Sequence, residues 1–323
     1  MKKATMAISG VLLTSMLALV IGCGNAGLLN AQAKPLVGSF SDQNTEQAAQ
    51  QDESTAKLAQ APVIYESFRL QGAKSIAALK SKLGEEGFAV VLKLNRLDRG
   101  HVRSGEILIV PSEVNLMRLA PFPLELEFAR GIEKLILVSR RIQAFGAYES
   151  GRLVHWGPTS TGKRATETPA GIYYTNWKSK ETHSTVNPSW VLPWYFNLDN
   201  FAGVGFHQYD LPGYPASHGC VRLLNEDAKW IFDWADQWIL AKGRNSVAAY
   251  GTPVIIFGDY AYGRQAPWKR LAEDAHASDV TASEIEAALN PHLPAIEARL
   301  RERQSVIAAA TQTTAATVSA NIR

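Results

Sequence analysis

His207 and Cys220 stand thirteen positions apart, the cysteine inside the run Ser217-His218-Gly219-Cys220-Val221-Arg222. A thiol placed among imidazoles and a guanidinium is suited to attack an acyl carbon. An ordinary cysteine, with its pKa of about 8.5, is only a few per cent thiolate at neutral pH, and a neighbouring imidazolium or arginine shifts that balance. His207 closes the apolar strand Val204-Gly205-Phe206, and the turn-rich stretch Leu211-Pro212-Gly213-Tyr214-Pro215 leads on to the thiol. A strand, a turn and a return would let the two ends meet, with His207 as general base. His218 competes for that role, because positions i and i+2 of an extended segment share a face. Gly219 lets the backbone approach a substrate carbonyl closely, so that main-chain N–H groups can hold the oxyanion of acyl transfer. The competing reading is a buried, inert thiol, since free cysteine is among the most buried residue types.

The start of the chain bears on that choice. Lys2 and Lys3 precede the apolar run from Met6 to Ile21, too short to span a bilayer comfortably, and Val20-Ile21-Gly22-Cys23 closes it. The pattern resembles a lipoprotein export signal over residues 1–22. Processing of that kind would cut before Cys23 and attach lipid to its thiol, giving an exported protein held to the cell envelope by a lipid anchor, at the periplasmic face or the cell surface. An uncleaved anchor helix is the alternative. With Cys23 lipidated Cys220 has no partner, and an unpaired thiol outside the cytoplasm is kept by burial or for its reactivity; on either reading the rest of the chain is membrane-attached and exported.

Composition is that of an ordinary globular protein, with 46% hydrophobic, 9% aromatic and 20% charged residues and room for two domains. A net charge of +3, with no basic stripe interleaved with aromatics, argues against nucleic-acid binding. No GxGxxG or GxxxxGK[ST] run is present. His207, His218 and Cys220 supply three zinc-type ligands, but structural zinc takes four and no second cysteine is nearby, so neither metal nor cofactor is expected. His155 and His183 read as ordinary strand or loop residues.

Residues 23–62 are poor in large apolar side chains and read as a flexible tether. Residues 63–112 read as a small α+β unit of βααβ order: an apolar stretch Val63 to Leu70, a helix Ser75 to Leu83, a break at Gly84-Glu85-Glu86-Gly87, a helix Phe88 to Leu94 and a strand Ile107 to Val110. Over 130–260 strand signals dominate, at Lys134 to Val138, Arg141 to Tyr148, Arg152 to Trp156, Gly171 to Thr175, Val204 to His207 and Pro253 to Phe257. Turn residues between them argue for a mostly β, largely antiparallel sheet or sandwich. One helix is expected after Cys220, capped by Asn225, with Trp230, Trp234 and Trp238 packing one face against the sheet. Residues 261–323 read as a helical and disordered tail.

The residues around Cys220 resemble the catalytic domain of L,D-transpeptidases of the YkuD type, whose motif is a histidine, a short spacer and Ser-His-Gly-Cys, with Arg or Asn two places on. The resemblance extends through Ser160-Thr161-Gly162-Lys163, Thr168-Pro169-Ala170-Gly171 and Leu192-Pro193-Trp194-Tyr195-Phe196. It implies a β-sandwich-like domain acting on peptidoglycan stem peptides. Cys220 would accept the acyl group, His207 would move the proton, and Ser217, His218 and Gly219 would shape the oxyanion loop. Arg222 would hold a substrate carboxylate or support the loop, and Tyr195 would face the substrate. The implied reaction attacks the carbonyl of the third stem residue, releases D-alanine and passes the acyl group to a neighbouring amine, a 3→3 cross-link. Water or a protein amine could capture the same thioester, which leaves carboxypeptidase, endopeptidase and protein-attachment activities open. Leu92-Lys93-Leu94-Asn95 and Gly105 to Pro111 resemble a LysM module, which implies glycan binding, with a spacer as the alternative. A lipid-anchored wall tether with an inactive Cys220 domain is the non-enzyme reading.

Overall fold

The computed structural model describes residues 62–321, with side chains to residue 312. The expectations for the 1–22 signal, for Cys23 and for the tether up to residue 61 lie outside the described residues. The N-terminal unit consists of β1 (Tyr65–Arg69), α1 (Ala73–Leu94) and β2 (Ile107–Pro111), with β1 and β2 paired antiparallel. Gly84 breaks α1 in two: its φ of +72° and ψ of 172° are non-helical, a conformation that glycine adopts without a Cβ clash.

The chain from residue 134 onward adds β3 (Lys134–Ser139), β4 (Ala144–Glu149), β5 (Arg152–Ser160), β6 (Gly171–Tyr174), β7 (Lys178–His183), β8 (Val191–Asp199), β9 (Val204–Gln208) and β10 (Val221–Leu223). Helix α2 (Asn225–Trp234), β11 (Ile239–Leu240), β12 (Val247–Ala249) and β13 (Pro253–Phe257) follow, and α3 (Ala282–Leu289) and α4 (Leu293–Asn321) close the chain. β11 and β12 form a separate hairpin. The other strands form one nine-stranded sheet in the order β6-β13-β3-β4-β5-β10-β9-β8-β7. β6 also touches β8, so the sheet curls back on itself. The fold is mostly β.

Side-chain alternation divides the core. Leu135, Leu137, Ile255 and Phe257 point to one face, and Ile136, Val138, Val254 and Ile256 to the other. Both faces are covered, which explains why β3 and β13 read as continuous apolar runs. The second face packs inside the curl against Phe196, Phe206, Val221 and Ile231. The first is covered by Phe122 and Leu126 and by Val280, Ile285, Leu289 and Ile296. Much of the region expected as a tail is therefore core, and α4 runs on to Asn321.

The helix after Cys220 differs in detail. Its N-cap is Leu224, and Asn225 instead accepts a hydrogen bond from Trp194 Nε1 at 3.0 Å. Asp227, Ala228 and Ile231 form its buried face. Trp230 and Trp234 are half-buried and stack on each other at 4.8 Å, while Trp238 lies past the helix end. Trp230 and Trp234 pack against the core inside the curl as expected, and Trp238 leaves that face because the helix ends before reaching it.

Candidate active site

His207 lies on β9 and Cys220 immediately precedes β10. The two strands are parallel neighbours, with Arg222 in register beside His207. The expected turn and return is thus a crossover. Parallel strands need about a dozen residues or more to connect, and residues 209–220 supply them, which accounts for the thirteen-residue spacing.

Both residues line a cavity of about 450 Å³, together with Tyr195, Trp190, His218 and Arg222. His207 is 4% exposed. Its Nδ1 lies 2.9 Å from the Gln208 carbonyl oxygen, to which an Nδ1–H donates. That tautomer leaves Nε2 unprotonated and able to accept a proton. Burial depresses the imidazole to about 4, aided by the nearby Arg222 charge and opposed by the Gln208 hydrogen bond. Cys220 is partly exposed. Its Sγ donates to the Gly203 carbonyl at 3.1 Å rather than to the imidazole. Desolvation raises the thiol to about 11, against the lowering effects of the Gly205 backbone and Arg222. The thiol is therefore shifted up, not down as the neighbouring charges suggested, because loss of solvation outweighs them. At neutral pH the resting pair is thiol and neutral imidazole.

The loop before the thiol is held by side chains. Ser217 Oγ–H donates to the Cys220 carbonyl at 2.5 Å and accepts the Gly219 N–H at 3.1 Å, so Ser217 braces the turn. Gly219 adopts φ +124°, which side-chain-bearing residues rarely reach. His218 is exposed; its Nε2 accepts from Lys163 Nζ at 2.9 Å and its ring lies 5.1 Å from that of Trp190. His207 and His218 are thus engaged in different directions, and only His207 is buried. Arg222 stacks on Tyr209 at 4.5 Å and reaches the Asp210 carbonyl at 3.5 Å. Tyr195 is buried, hydrogen-bonded to the Asn197 amide group at 2.8 Å, with its ring 6.3 Å from that of His207.

Three residues were given no role by sequence reasoning. Thr168 Oγ1–H donates to the Gly219 carbonyl at 2.8 Å and accepts the Gly162 N–H at 2.9 Å, tying the Cys220 loop to residues 161–168. Buried Gln143 holds Thr161 through its amide group at 2.8 Å. Gly205 leaves room for Tyr195, whose hydroxyl would lie 2.9 Å from a Cβ there. An isolated glycine inside an apolar strand was the available signal for the last.

A comparison with curated proteins gave no match. Among solved structures, the chain is similar to an L,D-transpeptidase from Stackebrandtia nassauensis at 24% identity, covering 40% of this chain and 57% of that one, with a TM-score of 0.33. An L,D-transpeptidase from Mycobacterium smegmatis matches at 21% identity, 39% and 59% coverage and a TM-score of 0.31. A mutant L,D-transpeptidase from Enterococcus faecium matches at 22% identity, 48% and 56% coverage and a TM-score of 0.31. The chain thus spans less than two thirds of the length of these structures. The family model of the L,D-transpeptidase catalytic domain, YkuD, matches residues 133–256, a span that contains His207, Cys220 and every strand of the curled sheet except the last residue of β13. Residues 133–256 of this chain thus match the YkuD L,D-transpeptidase catalytic domain.

Proposed function

We propose that the chain is a peptidoglycan L,D-transpeptidase that works through a Cys220 thioester. The observation that carries this reading is the pairing, in one cavity, of a partly exposed thiol with a buried imidazole whose Nδ1 faces the Gln208 carbonyl. In the first step Sγ attacks the carbonyl carbon of the third residue of a stem tetrapeptide while its proton passes to His207 Nε2. Gly219 N–H is held by Ser217 Oγ, so the Cys220 and His218 amides are the donors left to the oxyanion. Collapse breaks the amide C–N bond, and His207 returns the proton to the departing amine of D-alanine. An acceptor amine then attacks the thioester, His207 takes its proton, and Sγ leaves and is reprotonated. The product is a 3→3 cross-link. Arg222 is the candidate for a substrate carboxylate, and Tyr195 walls the cavity behind His207.

Intact-mass spectrometry with a tetrapeptide stem, with and without an acceptor amine, tests this. The expected result is an acyl adduct on Cys220 with loss of D-alanine, discharged to a cross-linked product when amine is added, and no adduct on Cys220→Ala. Absence of the adduct from wild-type protein rejects the reading, and discharge only to water reassigns it as a carboxypeptidase. A substrate in the wall requires export, and lipid anchoring through Cys23 is tested by Cys23→Ser, which should release the protein from the membrane fraction. The βααβ order of the N-terminal unit supports a glycan-binding role, tested by retention of residues 62–323 of the Cys220→Ala chain on purified sacculi.

A further inference from the structure

The general base and the nucleophile are joined by a crossover with no helix of its own. Parallel neighbours usually carry one in their connection, whereas residues 209–220 cross as loop. The second half of that loop is held by the catalytic sheet, where Ser160 Oγ–H donates to the Tyr214 carbonyl at 2.7 Å and accepts the Ala216 N–H at 3.1 Å. The first half is held from outside the sheet, by the segment that follows α1. Leu211 N–H donates to Asp98 Oδ2 at 2.6 Å, and the Leu211 carbonyl accepts the Asp98 N–H at 3.0 Å. One residue of the N-terminal unit therefore grips both main-chain groups of Leu211, which is fully buried. Leu97 and Pro212 form an antiparallel bridge beside this grip. Asp98 Oδ1 meanwhile accepts the His101 N–H at 3.0 Å, capping the 3₁₀ turn Arg99–His101.

We propose that Asp98 is a positioning residue of the catalytic centre: by fixing the crossover at Leu211 it fixes how His207 and Cys220 face each other. The N-terminal unit is then part of the active site. Leu211 lies four residues after His207, and the carboxylate bond to it is short and charge-assisted, roughly twice as strong as a neutral one. A displacement of about 1 Å between reacting groups can cost about 100-fold in rate. The turnover part of this inference rests on the transpeptidase reading; the thiol part does not.

Asp98→Ser and Asp98→Asn in the full chain test it. Serine still caps the 3₁₀ turn but is too short to reach Leu211, whereas asparagine keeps an oxygen for the Leu211 amide. For Asp98→Ser the expected result is a kcat lower by about 10- to 100-fold, with KM for the tetrapeptide changed by less than about twofold. Iodoacetamide should alkylate Cys220 in a single phase, its pH midpoint moving down from about 11 toward the ordinary thiol value of about 8.5 as the loosened loop admits water. Asp98→Asn should stay within about threefold of wild type. A folded Asp98→Ser with wild-type kcat and thiol midpoint overturns the proposal, as does an equal loss in both variants. If wild-type protein shows no transfer, the transpeptidase reading fails on its own and the thiol midpoint decides about Asp98. If the serine variant does not fold, hydrogen exchange at the wild-type Leu211 amide decides: protection matching the β9 amides supports the grip, and open-loop exchange overturns it.

Discussion

Whether Cys220 waits as thiolate or thiol depends on solvation set against nearby charge. Arg222 and the Gly205 backbone favour the anion, but burial outweighs them and the thiol stands at about 11, while burial takes His207 to about 4. A preformed thiolate–imidazolium pair would alkylate at a constant rate from mildly acidic pH upward. Here iodoacetamide reactivity of the free enzyme should instead climb through neutral pH and level only near 11, and a plateau starting near pH 5 would refute the neutral pair. On the proposed mechanism His207 must be unprotonated to accept the thiol proton, so kcat/KM should keep its acid limb near pH 4. His207→Ala should lower transfer by about 100- to 10,000-fold while leaving alkylation at high pH. The same burial links to stability. Below pH 6.5 an unfolded chain protonates this histidine and the folded one does not, so stability present above 6.5 falls as pH drops toward 4, by about 3 kcal/mol in total. Urea melts of wild type and His207→Gln between pH 7 and 4 should diverge by that amount. Gly219→Ala should be inactive, because its φ of +124° strains any side chain even though a methyl would make only ordinary contacts, 3.8 Å from the Gly203 carbonyl.

The crossover between β9 and β10 explains why the loop carrying the thiol needs so many side-chain ties. Thr168 joins the amide of Gly162 to the carbonyl of Gly219. Thr168→Val keeps the shape and removes both bonds, leaving two buried backbone groups unpaired at about 1 to 3 kcal/mol each. We expect kcat to fall at least about tenfold, with a lower melting temperature; unchanged kinetics would show that the loop holds its form without this tie. The run Ser217 to Arg222 and the strand ending at His207 were legible because their residue types and spacing are local. The strands β3, β4, β5, β6, β9 and β13 were legible from apolar runs and turn residues. Parallel pairing of β9 with β10 was not, since strand direction is set by partners far away in sequence. The polar edge strand β7 was missed for want of an apolar pattern: Lys178–His183 shows only partly buried and exposed positions. The sign of the Cys220 shift was misjudged because burial is a property of the folded surroundings, and the six residues around the thiol do not encode it.

The whole body from residue 62 onward is one compact unit, and the N-terminal unit is fastened to the catalytic sheet by buried polar groups as well as by Asp98. Arg96 is 1% exposed, lies between Trp156 and Trp268, and donates through Nε to the Ile142 carbonyl at 2.9 Å. Lys93, near the end of α1, meets the fully buried Asp227 of α2 at 2.8 Å, and His155 of β5 contacts the same carboxylate oxygen at 2.9 Å. Gly157 leaves the space in which Asp227 Oδ2 sits, 2.5 Å from the position of a Cβ. Removing one partner of a buried ion pair costs about 3 to 5 kcal/mol, because the other charge stays buried. Lys93→Met should therefore lower the melting temperature by about 10 °C, whereas adding Asp227→Asn to it should restore most of the loss, since the carboxylate that Lys93 neutralised is gone. A double variant as unstable as Lys93→Met alone would mean that the lysine's packing, not its charge, joins the two parts. A single variant within about 1 °C of wild type would mean that Glu226, 3.5 Å from the same ammonium, or solvent already satisfies the junction; the N-terminal unit would then be held to the sheet chiefly by Arg96 and Asp98.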